Sequence, residues 1–238
     1  MPDKRRHRGP HPDDHRLFAD AEQPALRVAV TEFAWLLTRG YAEDSALALV
    51  GNRYNLTERQ RIAVRRSSCS DQSLARRWQT RRALAECLPR PLALDGYNLL
   101  ITIESALSGG IILVGRDACY RDLASIHGTY RKVDETLPAV RLIADYLTRT
   151  GVKEVTWYLD RPVSNSGRLR KLMTDAFVAL GLQWPIELTD NPDPILAQAA
   201  SPVVTSDSWI LDQCGEWINL AAEIIDARVP QSWKLDLR

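Results

Sequence analysis

Three apolar runs in this chain each end on an aspartate: Leu92-Ala93-Leu94-Asp95, Val155-Thr156-Trp157-Tyr158-Leu159-Asp160 and Val203-Val204-Thr205-Ser206-Asp207. Stretches with helical spacing separate them, so the runs read as strands of one parallel sheet buried on both faces. Open sheets of this kind hold ligands in the crevice outside the carboxyl ends of their strands. Three carboxylates brought to one such edge repel one another in a partly dry cleft. Some must take up protons unless a cation neutralises them, and a divalent metal is the simplest cation to do so.

At 238 residues the chain can bury one sizeable core, or one core plus a small helical domain. No apolar stretch approaches the length of a membrane span, and residues 1–16 lack the apolar middle of a secretory signal. The expectation is therefore a cytoplasmic protein without a membrane partner. Cys69, Cys87, Cys119 and Cys214 are far apart and form no CxxC pair, which fits reduced, packed thiols. Charge is divided unevenly. Residues 1–90 hold 17 Lys/Arg against 11 Asp/Glu, and residues 91–238 hold 14 against 19. A basic segment joined to an acidic one suits a substrate grip beside a metal site, or two complementary surfaces packed together.

Residues 1–20 read as an extended segment. His7, His11 and His15 stand four apart, but Pro10 and Pro12 break the helix that would align them as metal ligands. Residues 21–90 read as a small basic all-α domain. Leu26, Val30, Phe33 and Leu37 form a helical stripe, a second helix from Glu43 stops at Gly51, and Thr57 with Gln60 forms a capping box for a third. A fourth helix runs from Asp71 to about Leu88. These last two helices hold eight arginines, among them Arg61 and Arg65 one turn apart. The arginines either follow a phosphate backbone or form a solvated face; with no aromatic residues interleaved, base stacking by this module is not indicated.

Pro89-Arg90-Pro91 marks a domain boundary. From 91 to 238 strands and helices alternate, which predicts an α/β layer fold with a mostly parallel, Rossmann-like sheet and helices on both faces. Asp95-Gly96-Tyr97-Asn98 turns sharply after the first strand, with Asn98 placed to orient a carboxylate, water or phosphate and Glu104 two turns beyond Tyr97. Asp160 ends the next strand, and Ser164-Asn165-Ser166-Gly167 opens a helix whose free N–H groups suit an anion. Ser206-Asp207 forms the third site, with Asp212 five residues on. In the polar stretch from Gly115 to Lys132, His127 is a candidate for proton transfer or phosphate contact.

Asp-Gly-Tyr-Asn after a strand, an acidic strand end at 160 and Thr-Ser-Asp before a helix resemble the PIN/NYN nuclease superfamily over roughly residues 91–225. The whole chain is also similar to a prokaryotic family known only as domains of unknown function, with a basic helical N-terminal part. The nuclease resemblance implies a PIN-like sheet whose acidic residues hold Mg²⁺ or Mn²⁺ to cut RNA, with Asp95, Asp160 and Asp207 as catalytic and metal-holding residues. Asn98, Glu104, Ser164, Asn165, Ser206 and Asp212 would then support the site or substrate, and Arg61 and Arg65 would grip the backbone. The third motif departs from the pattern: Trp209 stands where a second acidic residue is usual. The expected function is metal-dependent phosphodiester hydrolysis of nucleic acid, RNA favoured. The alternative is a non-catalytic RNA-binding or ribosome-associated adaptor on a degenerate PIN-like fold. A third reading is a hydrolase acting on a small phosphate ester. No P-loop, GxGxxG or GxSxG element is present, which argues against NTPase, dinucleotide oxidoreductase and serine-hydrolase chemistry. The sequence leaves the oligomeric state open.

Overall fold

The computed structural model describes residues 7–124 and 130–238. The basic N-terminal region forms α1 (Asp14–Leu17), α2 (Gln23–Thr38), α3 (Glu43–Arg53), α4 (Glu58–Ser67), α5 (Asp71–Thr80) and α6 (Leu84–Cys87). There follow β1 (Leu92–Asp95), α7 (Gly96–Leu107), β2 (Ile112–Val114), β3 (Tyr120–Asp122), α8 (Thr136–Arg149), β4 (Val155–Asp160) and α9 (Ser166–Ala179). The chain ends with β5 (Ile186–Thr189), α10 (Asp193–Ala197), β6 (Val203–Val204), α11 (Ser208–Leu211), β7 (Trp217–Ile218), α12 (Leu220–Arg228) and β8 (Lys234–Asp236).

Five strands form one parallel sheet in the order β5-β4-β1-β6-β7. The chain starts at the central β1, builds outward through β4 and β5, then returns to build through β6 and β7. Strand order therefore reverses between β1 and β6, which makes the space beyond their carboxyl ends the switch-point crevice. Alternation along the strands sorts side chains to two faces. Leu92, Leu94, Val155, Trp157, Leu159, Val204 and Ile218 enter the main core with α7, α8, α9 and α12. Ala93, Val203 and Trp217 enter a smaller core with Leu196 of α10 and Ile210 and Leu211 of α11.

A second sheet, β3-β2-β8, divides two cores. Ile112 faces the main core, whereas Ile111, Leu113, Leu235 and Leu237 pack against Leu26, Val30, Phe33 and Val64 of the helical region. The basic helices thus share their core with strands from the far end of the chain.

Several local expectations need revision. Helix α3 runs through Gly51 rather than stopping there, because the missing β-carbon makes room for the Arg61 guanidinium. The helix expected to reach Leu88 ends at Thr80; Arg81 is extended and forms an isolated bridge to Trp217. The polar stretch after Gly115 contains β3, and β8 pairs in parallel with β2. Among the described residues no helix is long and apolar enough to cross a membrane.

Candidate active site

Asp95 is the last residue of β1 and occupies the N-cap position of α7, yet its carboxylate caps nothing. It instead accepts a hydrogen bond from Thr205 Oγ1 at 2.8 Å, across the switch point. The same hydroxyl oxygen accepts from the Asp207 N–H at 2.9 Å, so Thr205 ties the two sites together. Gly96 permits this approach: a β-carbon there would lie 2.6 Å from Leu159 Cδ2 and 2.8 Å from the Tyr158 carbonyl. The Asn98 side-chain carbonyl accepts from both the N–H and the hydroxyl of Ser206, each at 2.8 Å, and so fixes the β6–α11 loop to the first turn of α7.

Asp95, Asn98, Asp193, Ser206, Asp207 and Asp212 line one side of a cleft of about 690 Å³. Residues of α2, α4 and α5 line the other side, including Arg65, Arg66, Ser73 and Arg77. Burial, together with the charges of Asp207, Asp193 and Asp160, pushes the Asp95 pKa up to about 7 despite the hydrogen bond from Thr205. Burial raises Asp160 as well, and Asp193 is raised by burial and then by Asp207 and Asp160. Asp95 and Asp193 therefore feel the charges of Asp160 and Asp207 at the carboxyl edge of the sheet. Among the described residues no group of three or more His, Cys, Asp or Glu is arranged to hold a metal ion.

Asp207 is partly committed, since its Oδ1 accepts from the N–H groups of Trp209 and Ile210 at 2.9 and 3.1 Å and caps α11. Asp212 accepts from Arg77 Nε at 2.7 Å and from the Ser73 hydroxyl at 3.0 Å, which fastens α5 to the turn after α11. Arg77 is buried and also reaches Asp117 Oδ2 at 2.6 Å and the Ser208 carbonyl at 3.1 Å. Arg121 completes this network, donating to both oxygens of Asp117 and, through Nε, to the Ser206 carbonyl at 2.8 Å. Burial alone would raise Asp117, but Arg121 and Arg77 outweigh it and hold the carboxyl well below the usual carboxylate range.

Other expected site residues lie elsewhere. Glu104 is fully buried away from the cleft, bonded to Arg8, to the Tyr130 hydroxyl and to Thr136 Oγ1 at 2.6 Å. Seven residues of helix advance about 10 Å, which takes it from the strand edge into the interior. Arg61 does not face the cleft: it donates to the carbonyls of Leu56, Leu47 and Ala48 and to Asn52 Oδ1, and so closes the α3–α4 corner. Arg65 does line the cleft, paired with Glu43 at 3.1 Å and with Asp44. Asn165 borders a separate groove, and the Ser164 carbonyl next to it accepts from the Tyr130 N–H. His127 lies outside the described residues.

Sequence reasoning missed Asp193, the first residue of α10; the strand-end aspartate rule applied to β5 points instead to Asp190, which pairs with Arg161 at 3.3 Å. It also missed Arg77, Asp117 and Arg121. No spacing in the sequence signals that pair, because Asp117 lies in a turn and Arg121 in β3 rather than on one helix face.

Fold and site together define a doubly wound α/β protein with an acidic switch-point cleft walled by a basic helical region. The chain belongs to the family described as a domain of unknown function (DUF5616), which matches residues 84–223. Residues 25–79 match a second family, described as a protein of unknown function (DUF434). An uncharacterized protein of Methanocaldococcus jannaschii is 29% identical over 204 residues, covering 85% of this chain and 97% of its own length. No solved structure matches the chain.

Proposed function

We propose that this protein hydrolyses phosphodiester bonds in nucleic acid, RNA in the first instance, with Mg²⁺ or Mn²⁺. The supporting observation is the cleft itself, where Asp95, Asp193 and Asp207 gather at the switch point opposite Arg65 and Arg66. The donors are hard oxygens, and Mg²⁺ commonly needs only one or two carboxylates because waters and substrate phosphates complete its shell. Asp95 would hold the cation directly, with Asp160, Asp193 and Asp207 close enough to share its charge. A bound cation would supply Lewis-acid activation and neutralise charge on the attacking and leaving oxygens. Thr205 aims the Asp95 carboxylate, and Asn98 holds the loop bearing Asp207 in register with it. Arg65, exposed on the opposite wall, can exchange its surface carboxylate partners for a substrate phosphate at little cost.

The decisive experiment is cleavage of a labelled single-stranded RNA with either cation, comparing wild type with Asp95→Asn and Asp207→Asn. Metal-dependent cutting that drops at least 100-fold in Asp95→Asn supports the reading; equal cutting by wild type and both variants rules it out. A second reading, an adaptor that binds RNA without cutting it, draws on the commitment of Asp207 to its cap and of Asp212 to Arg77. It expects RNA binding that survives EDTA and persists in Asp95→Asn.

A further inference from the structure

A second groove, of about 280 Å³, opens where α9 begins. Arg131, Lys132 and Arg168 line it over a floor that includes Tyr130 and Leu169. Two chain segments are locked together to build it. Asn165, in the left-handed conformation with φ of 71°, donates from Nδ2 to the Tyr130 carbonyl at 3.1 Å. Arg168 makes a hydrogen bond only to Asn165 Oδ1, at 3.3 Å, and among the described residues no Asp or Glu pairs with Arg131, Lys132 or Arg168. The main cleft differs: Arg65, Arg66, Arg77 and Arg121 all pair with carboxylates there. Where Arg65 must give up Glu43 and Asp44 to take a phosphate, the groove's cations have no carboxylate partner among the described residues to exchange.

Position connects the groove to the cleft. Helix α9 follows β4, whose last residue is Asp160, so the groove opens at the same edge of the sheet as the acidic residues. Tyr97 lines the cleft and Tyr130 lines the groove, and their rings lie 5.3 Å apart. The volume falls just under the ~300 Å³ at which compact ligand pockets begin, which suits a segment of a longer polymer better than a whole small molecule.

We propose that this groove is a second phosphate-binding station, holding the backbone of the same nucleic-acid strand away from the bond being cut. The inference rests on the nuclease reading above. Its three cations would bind successive phosphates without reading bases.

The test is a salt series of binding to a fluorescein-labelled single-stranded RNA about 12 nucleotides long, in an Asp95→Asn background that cannot cut it. Replacing Arg131, Lys132 and Arg168 together by Gln should flatten the slope of log affinity against log salt by about 2, since each single-strand contact contributes roughly 0.7. Affinity should fall on the order of tenfold at moderate salt. Arg168→Gln alone, an exposed change that spares the fold, should flatten the slope by about 0.7. With Asp95 intact, the triple variant should cut the long RNA more slowly but a dinucleotide, which cannot fill both places, at the wild-type rate. Unchanged slope and affinity would overturn the groove and leave the nuclease reading standing. A flattened slope in a protein whose wild type cuts nothing would retain the groove and remove the nuclease reading. A wild type that binds no RNA would remove both.

Discussion

Asp95 is a carboxylate that the fold buries and then surrounds with like charge. Its folded pKa of about 7 stands above the ordinary 3.8, so folding favours the protonated form. The stability this group contributes is fully present below pH 3.8 and is lost as pH rises through 7. Asp95→Asn should therefore raise Tm at pH 8 by roughly 3–6 °C, taking about 1.5 kcal/mol at ~2–4 °C per kcal/mol. That gain should shrink as pH falls towards 4. Millimolar MgCl₂ should raise Tm of the wild type at pH 8 and leave the variant unmoved. Equal responses to Mg²⁺ in calorimetry would detach Asp95 from the cation. Asp117 behaves in the opposite sense: its lowered pKa keeps its contribution intact at neutral pH and surrenders it only in strong acid.

Among the elements, α3 and α4 share a corner in which one contact, between Gly51 and Arg61, has two sides. Gly51 leaves the space that Arg61 fills, and Arg61 donates to the carbonyls of Leu47 and Ala48 midway along α3. Gly51→Ala should cost about 1–2 kcal/mol by displacing those bonds, although Ala is by itself the better helix former by about 1 kcal/mol. In an Arg61→Ala background the same change should become neutral or stabilising. Chemical denaturation of the four variants measures the coupling, and simple additivity would show that the two residues act independently. This corner also explains what the sequence could convey. The strand-end aspartates Asp95 and Asp160 and the Thr57 capping box were legible because each rests on neighbours in sequence; Asp207 instead caps α11, three residues past β6. Gly51 read as a helix stop and Arg61 as a phosphate grip because each takes its role from the other, ten residues away. Glu104 failed for the same kind of reason, its partners Arg8 and Tyr130 being distant in the chain. Trp78, exposed beside Arg81, shows that an aromatic does interleave with the arginines of α5.

At the scale of the whole molecule, the helical region and the sheet are not separable pieces. The second sheet gives one face to each core, and Ile111, Leu113, Leu123, Leu235 and Leu237 depend on the basic helices for cover. A chain cut to residues 84–238 should expose that apolar face and lose fixed packing, seen as weak near-ultraviolet circular dichroism and aggregation. Cooperative unfolding of the fragment with intact near-ultraviolet signal would show instead that the α/β part folds alone. The acidic cleft inherits the same dependence, because its two walls come from residues 33–77 and 95–212.

That division of the cleft sets an order in time. During synthesis the arginine wall emerges early, while Asp207 and Asp212 follow more than a hundred residues later and β8 closes its sheet last. An unfinished chain holds only half a cleft and has no acidic edge facing the basic one. Whatever chemistry the cleft performs is thereby withheld from the nascent chain until its acidic edge has been made and folded against the basic helices.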